Sequence, residues 1–187
     1  GGVIFGMVLV GIIIAVFAKR KPAVVNRTFG RLSIISSAWL ALTHGANDGQ
    51  KTMGIIVLIL FSADLISEIH MPLWVILAAA SAMGLGTFFG GYKVIKTLGL
   101  KITRLKPYQG FAAQTGGGVM LAIFAILGIP ASTTHAITGS VMGAGAARRI
   151  RAVRWKVSRQ IIFSWVITIP GAAGLAIAFT YIIHLFV

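Results

Sequence analysis

The sequence predicts an all-α integral membrane protein, a polytopic helical chain with one broken helix and one re-entrant helical hairpin. Hydrophobic residues make up 57% of its 187 residues, charged residues make up 11%, and the mean hydropathy is +0.93. Ordinary soluble domains carry about 25% charged residues. The apolar stretches run to roughly 20 residues, which is the length of a membrane-spanning helix and about twice that of a barrel strand. We therefore treat residues 1–187 as a single membrane domain.

The charged residues are distributed unevenly along the chain. Lysine and arginine number 17 against three acidic residues, and 16 of the 17 lie in the segments 19–31, 93–106 and 148–159. Because basic residues favour the cytoplasmic side, we expect these segments to be cytoplasmic loops of an inner (plasma) membrane protein. Charge divided among loops in this way does not form a nucleic-acid-binding surface. The absence of cysteine excludes disulfides and thiolate metal sites, and no metal site is predicted.

The first two apolar segments differ in kind. Residues 3–18 form a plain span that ends at a basic segment. Residues 32–61 form a longer stretch, which as a helix would measure about 45 Å, whereas a bilayer core is about 30 Å thick. The polar run at residues 44–51 falls near its middle. Two half-helices with an unwound centre explain both observations, and broken helices at mid-membrane are typical of transport sites.

The next segments return to the cytoplasmic side. Residues 62–72 contain Asp64 and Glu68 but no lysine or arginine, so we expect them to lie outside. Residues 73–92 form the returning span. The last span is predicted at residues 160–187.

The pattern at residues 108–147 predicts a hairpin. Both of its ends adjoin basic segments, so both should lie on the same side of the membrane. The second arm, residues 133–147, would be about 22 Å long as a helix, which is marginal for a full span. The polar turn at residues 128–135 would then lie within the membrane, buried in protein or lining a wet cavity.

Asp48 is the residue most at odds with its surroundings. An ionisable group inside a membrane-length apolar segment usually marks a substrate or ion path. Together with Asn47 it offers carboxylate and amide oxygens, which suit a hard cation, and a buried carboxylate can also carry a proton. The alternative is a structural polar pair that ties helices together. Lys51 either pairs with Asp48 three residues earlier or supplies positive charge for an anion.

The turn of the hairpin offers a second candidate site. Ser132, Thr133 and Thr134 precede or open a helix, where their hydroxyls and the helix N-terminus could hold an anion. The alternative is that they only cap this helix. Gln114 and Thr115, on the first arm, could face the same cavity.

Two histidines adjoin the polar breaks. His44 and His135 are candidate proton carriers, although a single histidine in a membrane more often serves as a hydrogen-bonding group.

Together these motifs resemble the PiT family of inorganic phosphate transporters. The run Gly-Ala-Asn-Asp at residues 45–48 is the family hallmark, which occurs once in each of two inverted repeats. The run Pro-Ala-Ser-Thr-Thr-His at residues 130–135 resembles the family's re-entrant hairpin tip. The chain looks like the C-terminal repeat half of a bacterial member. The resemblance therefore implies a missing N-terminal repeat half as partner, and a homodimer within the lipid bilayer.

The resemblance also implies roles for these residues. It assigns Asn47 and Asp48 to the coupling cation, and the three hydroxyls of residues 132–134 to phosphate. Many members continue Asn-Asp-Val-Ala-Asn, whereas here Lys51 replaces the second asparagine. This favours H⁺ over Na⁺ as the co-transported ion, as in bacterial members with similar Gly-Gln-Lys sequences, which are thought to take phosphate as a neutral divalent-metal complex. No cofactor is expected.

The prediction is thus a symporter of inorganic phosphate, proton-coupled and working by alternating access. It is not an enzyme, because the sequence offers no nucleophile with a positioned base. Two alternatives stay open: a sulfate permease of the same architecture, and a non-transporting membrane scaffold subunit.

Overall fold

Every regular element that the computed structural model describes is a helix. The model describes residues 1–184, apart from the side chains of residues 93, 95 and 98. Within the described residues, three helices are long and apolar enough to cross a membrane, which confirms the predicted all-α membrane class. The elements are α1 (Gly2–Val16), α2 (Pro22–Ser62), α3 (Leu73–Lys96), a π-helix (Thr97–Ile102), α4 (Pro107–Ile126), α5 (Thr133–Ala146), a 3₁₀-helix (Ile150–Ala152) and α6 (Trp155–His184).

Helix α2 corrects the prediction of a broken span at residues 32–61. It is one continuous α-helix of 41 residues, about 62 Å long, and it does not unwind at Gly45 or Gly49. Each of these glycines costs roughly 1 kcal/mol relative to alanine, which is less than leaving main-chain groups unpaired in an apolar environment. The intact helix therefore keeps its own hydrogen bonds and holds the polar residues of this run in a fixed register.

The basic segments are also more helical than the predicted loops. Residues 22–31 form the first turns of α2, which begins at Pro22 after the extended Lys21. Proline suits the first turn of a helix because no intrahelical partner is needed for its missing N–H. The segment 93–106 contains the end of α3 and the π-helix, and the segment 148–159 contains the 3₁₀-helix and the start of α6.

Helices α1 and α5 approach each other to main-chain contact in the first unit of the fold, Gly1–Val153. A methyl group added at Gly6 would collide with the main-chain carbonyl oxygen of Ser140, and one added at Gly143 would collide with that of Val3. Small residues at both positions let the two main chains touch, as is common between membrane helices. Helix α4 packs against α1, α2 and α5, so it forms the centre of this unit.

Helices α2 and α4 run side by side in the same direction. Ser33 of α2 contacts the carbonyl oxygen of Pro107, the first residue of α4, at 3.5 Å, and Lys51 contacts Ala131 in the turn that follows α4. The hairpin of α4 and α5 therefore rises about 27 Å along α2. From Lys51 to Ser62, α2 continues for about another 17 Å, so the tip of the hairpin stops well short of the end of α2.

Helix α6 belongs to a second unit, which begins at Arg154. It starts five residues before the predicted span of 160–187, at Trp155, and it is described as far as His184. The last three residues of that prediction lie outside the described part of the chain.

Candidate functional site

Three ionisable side chains form a stripe along α2. His44, Asp48 and Lys51 are four and three residues apart, so an unbroken helix places them on one face. Oδ2 of Asp48 lies 3.1 Å from Nε2 of His44, and its Oδ1 lies 3.1 Å from Nζ of Lys51. The continuity of α2 is thus what assembles this group, which we call the Asp48 cluster.

The tip of the hairpin closes onto the Asp48 cluster. The hydroxyl of Thr133, the first residue of α5, donates a hydrogen bond of 2.9 Å to Oδ2 of Asp48. The ammonium of Lys51 donates to the main-chain carbonyl of Ala131. Both oxygens of the Asp48 carboxylate therefore have partners. The bonds to Ala131 and Thr133 also join α2 to the tip of the hairpin, which lies at least 80 residues further along the chain.

The charges of Asp48 and Lys51 are opposite and adjacent. The side chains of His44, Asp48 and Lys51 are 37%, 30% and 33% exposed, so all three are partly withdrawn from solvent. Asp48 and Lys51 neutralise each other, which lowers the cost of holding either charge in an apolar setting. Of the two predictions for Lys51, the structure shows the pairing with Asp48.

Asn47 lies beside the cluster with an unsatisfied amide. Its side chain is 3% exposed, and its Nδ2 has no hydrogen-bond partner among the described residues. A cavity of about 170 Å³ adjoins it, with room for several water molecules. The cavity is lined by Asn47, Gln50 and Lys51 of α2 and by Phe124, Ala125, Gly128, Ile129 and Pro130 of the hairpin. Asn47 thus combines a buried, unpaired amide donor with a position in the wall of this cavity.

The remaining predicted residues of the tip lie around Thr133. The Ser132 hydroxyl accepts a hydrogen bond of 3.4 Å from the main-chain N–H of His135, so it caps α5 as expected. Thr134 and His135 are exposed. The tip thus combines one hydroxyl bound to Asp48 with polar groups that remain accessible.

Gln114 and Thr115 are not brought to the tip. The Ser36 hydroxyl donates a 2.6 Å hydrogen bond to Oε1 of Gln114, about 18 Å along α4 from Ile126. The Thr115 hydroxyl is buried without a hydrogen-bond partner among residues 1–184. Gln114 thus lies at the contact between α2 and α4, and neither residue is among those that line the cavity beside Asn47.

Sequence reasoning did not identify the Ala131 carbonyl or Gln50 as parts of this site. The carbonyl is a main-chain group, so no residue type signals its role. Gln50 lies within the polar run, and its position next to Lys51 is the feature of the sequence that could have indicated its place in the site. Among the described residues, no three side chains of His, Cys, Asp or Glu are grouped so that they could hold a metal ion.

The bond between Thr133 and Asp48 gives a testable prediction about stability. We expect Thr133→Val, which preserves the shape of the side chain, to lower the free energy of unfolding by about 1.5 kcal/mol, because a hydrogen bond to a charged acceptor is lost. Thermal unfolding of the detergent-solubilised protein measures this change. Thr134→Val, the same substitution at the exposed neighbour, should leave stability nearly unchanged, and equal losses in the two variants would contradict a specific role for the bond.

The chain is similar in sequence to known proteins. Residues 3–176 match the model of a family described as "Phosphate transporter family". The chain is 47% identical over 173 residues to a "Probable low-affinity inorganic phosphate transporter" of Rhizobium meliloti (strain 1021), covering 92% of this chain and 52% of that protein. A protein of the same description from Bacillus subtilis (strain 168) is 38% identical over 183 residues, covering 97% and 55% of the two chains.

A solved structure is also similar. It is titled "The sodium-dependent phosphate transporter", is 33% identical in sequence and superimposes with a TM-score of 0.68 over 78% of this chain and 37% of that one. The chain spans about half the length of the curated relatives described above.

Proposed function

Because the chain belongs to the phosphate transporter family, we propose that it forms one repeat half of a symporter that carries inorganic phosphate across the cytoplasmic membrane. The observation that carries this proposal is the Asp48 cluster, which holds ionisable side chains against the tip of a helical hairpin inside an apolar bundle. An ionisable group in such a position usually belongs to a substrate or ion path. We propose no covalent step.

The depth of the cluster supports a transport site. The tip lies about 27 Å along α2 from the base of the hairpin and about 17 Å from the other end of α2. Substrate sites of secondary transporters lie near the bilayer midplane, between repeats that face each other. A second, inverted repeat would complete the site from the opposite side, and rocking of one repeat against the other would give alternating access.

The donors at the tip suit an oxyanion. Ser132, Thr133 and Thr134 lie at the N-terminus of α5, where main-chain N–H groups and the helix dipole attract negative charge. Asn47 lines the adjacent cavity, and its Nδ2 is buried without a partner among the described residues. The Thr133 hydroxyl can donate one hydrogen bond, and in this structure Asp48 accepts it. Phosphate therefore competes with Asp48 for this donor, and such competition would couple substrate binding to the state of the carboxylate.

The contacts of Asp48 favour a proton over sodium as the coupling ion. The Lys51 ammonium lies beside Oδ1 of Asp48. Oδ2 accepts the hydrogen bond from the Thr133 hydroxyl and lies 3.1 Å from Nε2 of His44. A sodium ion would have to displace one of these partners and approach an ammonium group, which Coulomb repulsion opposes. A proton needs only to move on or off His44 or Asp48. A site without net charge would also accept phosphate as a neutral divalent-metal complex.

Uptake into proteoliposomes tests the proposal. The complete protein that contains this chain should accumulate radiolabelled phosphate when a pH gradient is imposed, and a sodium gradient alone should drive little uptake. A tenfold excess of sulfate should not inhibit phosphate uptake. A sulfate permease would bind both tetrahedral anions, so its uptake of phosphate would be inhibited. Uptake driven by sodium alone would overturn proton coupling. Failure to take up phosphate under either gradient would overturn phosphate transport itself, in favour of sulfate transport or a scaffold role.

A further inference from the structure

A second cavity lies at the end of the first unit that is remote from the hairpin tip. Its volume is about 300 Å³, and it is formed where α1 ends, where α2 and α4 begin, and where the chain leaves α5. One wall is apolar, with Ile13, Ile14, Phe17 and Val25 among its residues. The cavity is therefore amphipathic and separate from the Asp48 cluster.

The polar wall of this cavity carries three positive charges. Arg20, Lys106 and Arg148 come from three distant parts of the sequence, and no acidic residue lines the cavity. The chain has only three acidic residues, Asp48 in the cluster and two in the segment between α2 and α3. Cations that lie this close repel one another, and an anion between them would offset the repulsion. Residues 1–184 supply no such anion at the cavity.

The helix ends add to the positive potential. Both α2 and α4 begin at the cavity, each with lysine at the N-cap and proline in the first turn, and neither has an acidic residue in that turn. Helix N-termini carry a partial positive charge and are usually capped by Ser, Thr, Asp or Asn. Lysine caps raise the local potential further, so an anion near these two helix ends would be favoured.

Tyr108 adds a further polar side chain to this cavity. Its side chain lines the cavity and is only 7% exposed. No hydrogen bond to its hydroxyl is formed within residues 1–184. This hydroxyl is not among the buried side-chain atoms that lack a partner, so it is accessible and can donate a hydrogen bond to a ligand in the cavity.

We propose that this cavity binds one anionic phospholipid from the leaflet on the side of the basic segments. The phosphate group would lie among Arg20, Lys106 and Arg148 and accept a hydrogen bond from Tyr108. An acyl chain would lie along the apolar wall. Free inorganic phosphate would satisfy the cations but would leave this wall uncovered, whereas a phospholipid satisfies both. Basic pockets between helices on the cytoplasmic side are a known mode of lipid recognition. The proposal does not depend on which ion or substrate is transported.

Native mass spectrometry of the complete, delipidated protein tests this site. We expect titration with phosphatidylglycerol to show one molecule bound more tightly than phosphatidylcholine with the same acyl chains. Arg20→Gln combined with Arg148→Gln should weaken phosphatidylglycerol binding about 25-fold, since each basic residue near an anionic lipid contributes about fivefold. Tyr108→Phe preserves charge and shape and should weaken it about threefold.

A charge-matched control separates the site from general surface attraction. Arg104→Gln combined with Arg151→Gln removes the same charge from exposed positions that do not line the cavity, and should weaken binding less than threefold. Equal losses in the two double variants would overturn the proposal, as would equal binding of the two lipids. Displacement of phosphatidylglycerol by millimolar inorganic phosphate would assign the cavity to free anion instead. If the first double variant does not fold, Tyr108→Phe alone decides, and unchanged lipid affinity in it contradicts the site.

Discussion

Asp48→Asn is expected to abolish pH-driven phosphate uptake by the complete transporter, with a loss of at least about 100-fold. The substitution keeps the size of the side chain but removes the negative charge that Lys51, His44 and Thr133 all face. A hydrogen bond to a charged group contributes about 1.5–3 kcal/mol, so loss of even one can reduce binding by a factor of about 10 to 100. Initial rates of radiolabelled uptake into proteoliposomes measure the effect.

The control for Asp48→Asn is the same change at another acid. Asp64 lies just after α2 with a φ of 55°, a left-handed conformation that asparagine adopts as readily as aspartate. Asp64→Asn therefore removes one negative charge without straining the main chain or touching the cluster, and uptake should be unchanged. An equal loss in both variants would show that net charge, rather than the site, governs uptake.

A double variant separates the role of Asp48 in transport from its role in stability. Asp48→Asn leaves the Lys51 ammonium without its carboxylate, which destabilises a partly buried pair. Adding Lys51→Asn removes this unpaired charge, so we expect thermal stability to recover while uptake stays low. Recovery of uptake in the double variant would mean that Asp48 serves only to balance charge.

Lys51→Asn alone is expected to make phosphate uptake sodium-dependent. The Lys51 ammonium donates hydrogen bonds to one carboxylate oxygen of Asp48 and to the carbonyl oxygen of Ala131. Oxygens of these kinds are ligands for hard cations, and the new amide would add a third. We expect a sodium gradient to raise uptake by the variant about tenfold or more, and the response to a pH gradient to fall. Paired measurements under the two gradients give the result.

Lys51→Arg is the matched comparison for this experiment. It retains the positive charge beside Asp48, so sodium should remain without effect, although the different shape of the guanidinium could lower the overall rate. If Lys51→Asn remains driven by protons alone, the ammonium is not what excludes sodium, and the coupling assignment has to rest on His44 instead.

The sequence predicted the overall architecture because burial and charge act over whole segments. The sequence predicts a hairpin at residues 108–147, and the structure has two helices there, Pro107–Ile126 and Thr133–Ala146. These limits follow from the lengths of apolar stretches between basic residues. The same reasoning placed α3 from residue 73, where its helix begins.

Composition alone does not establish whether α2 is unwound at its centre. Glycine at positions 45 and 49 permits unwinding but does not require it, and main-chain hydrogen bonds in an apolar setting favour the intact helix. Within that helix, the 4-and-3 spacing of His44, Asp48 and Lys51 follows directly from the sequence. Their attachment to Thr133 and Ala131 does not, because it depends on how the hairpin packs against α2.

The contact between Lys51 and the hairpin tip has a consequence for variation at residue 131. Lys51 binds the main-chain carbonyl there, and every amino acid provides this group. Exchange of Ala131 for another residue of similar size should therefore leave the contact intact, and mutational scanning should find this position tolerant although it lies at the site. Alterations in the path of the turn, such as an insertion between Gly128 and Ser132, would move the carbonyl and break the contact. At this point of the molecule, loop length is under stronger constraint than residue identity.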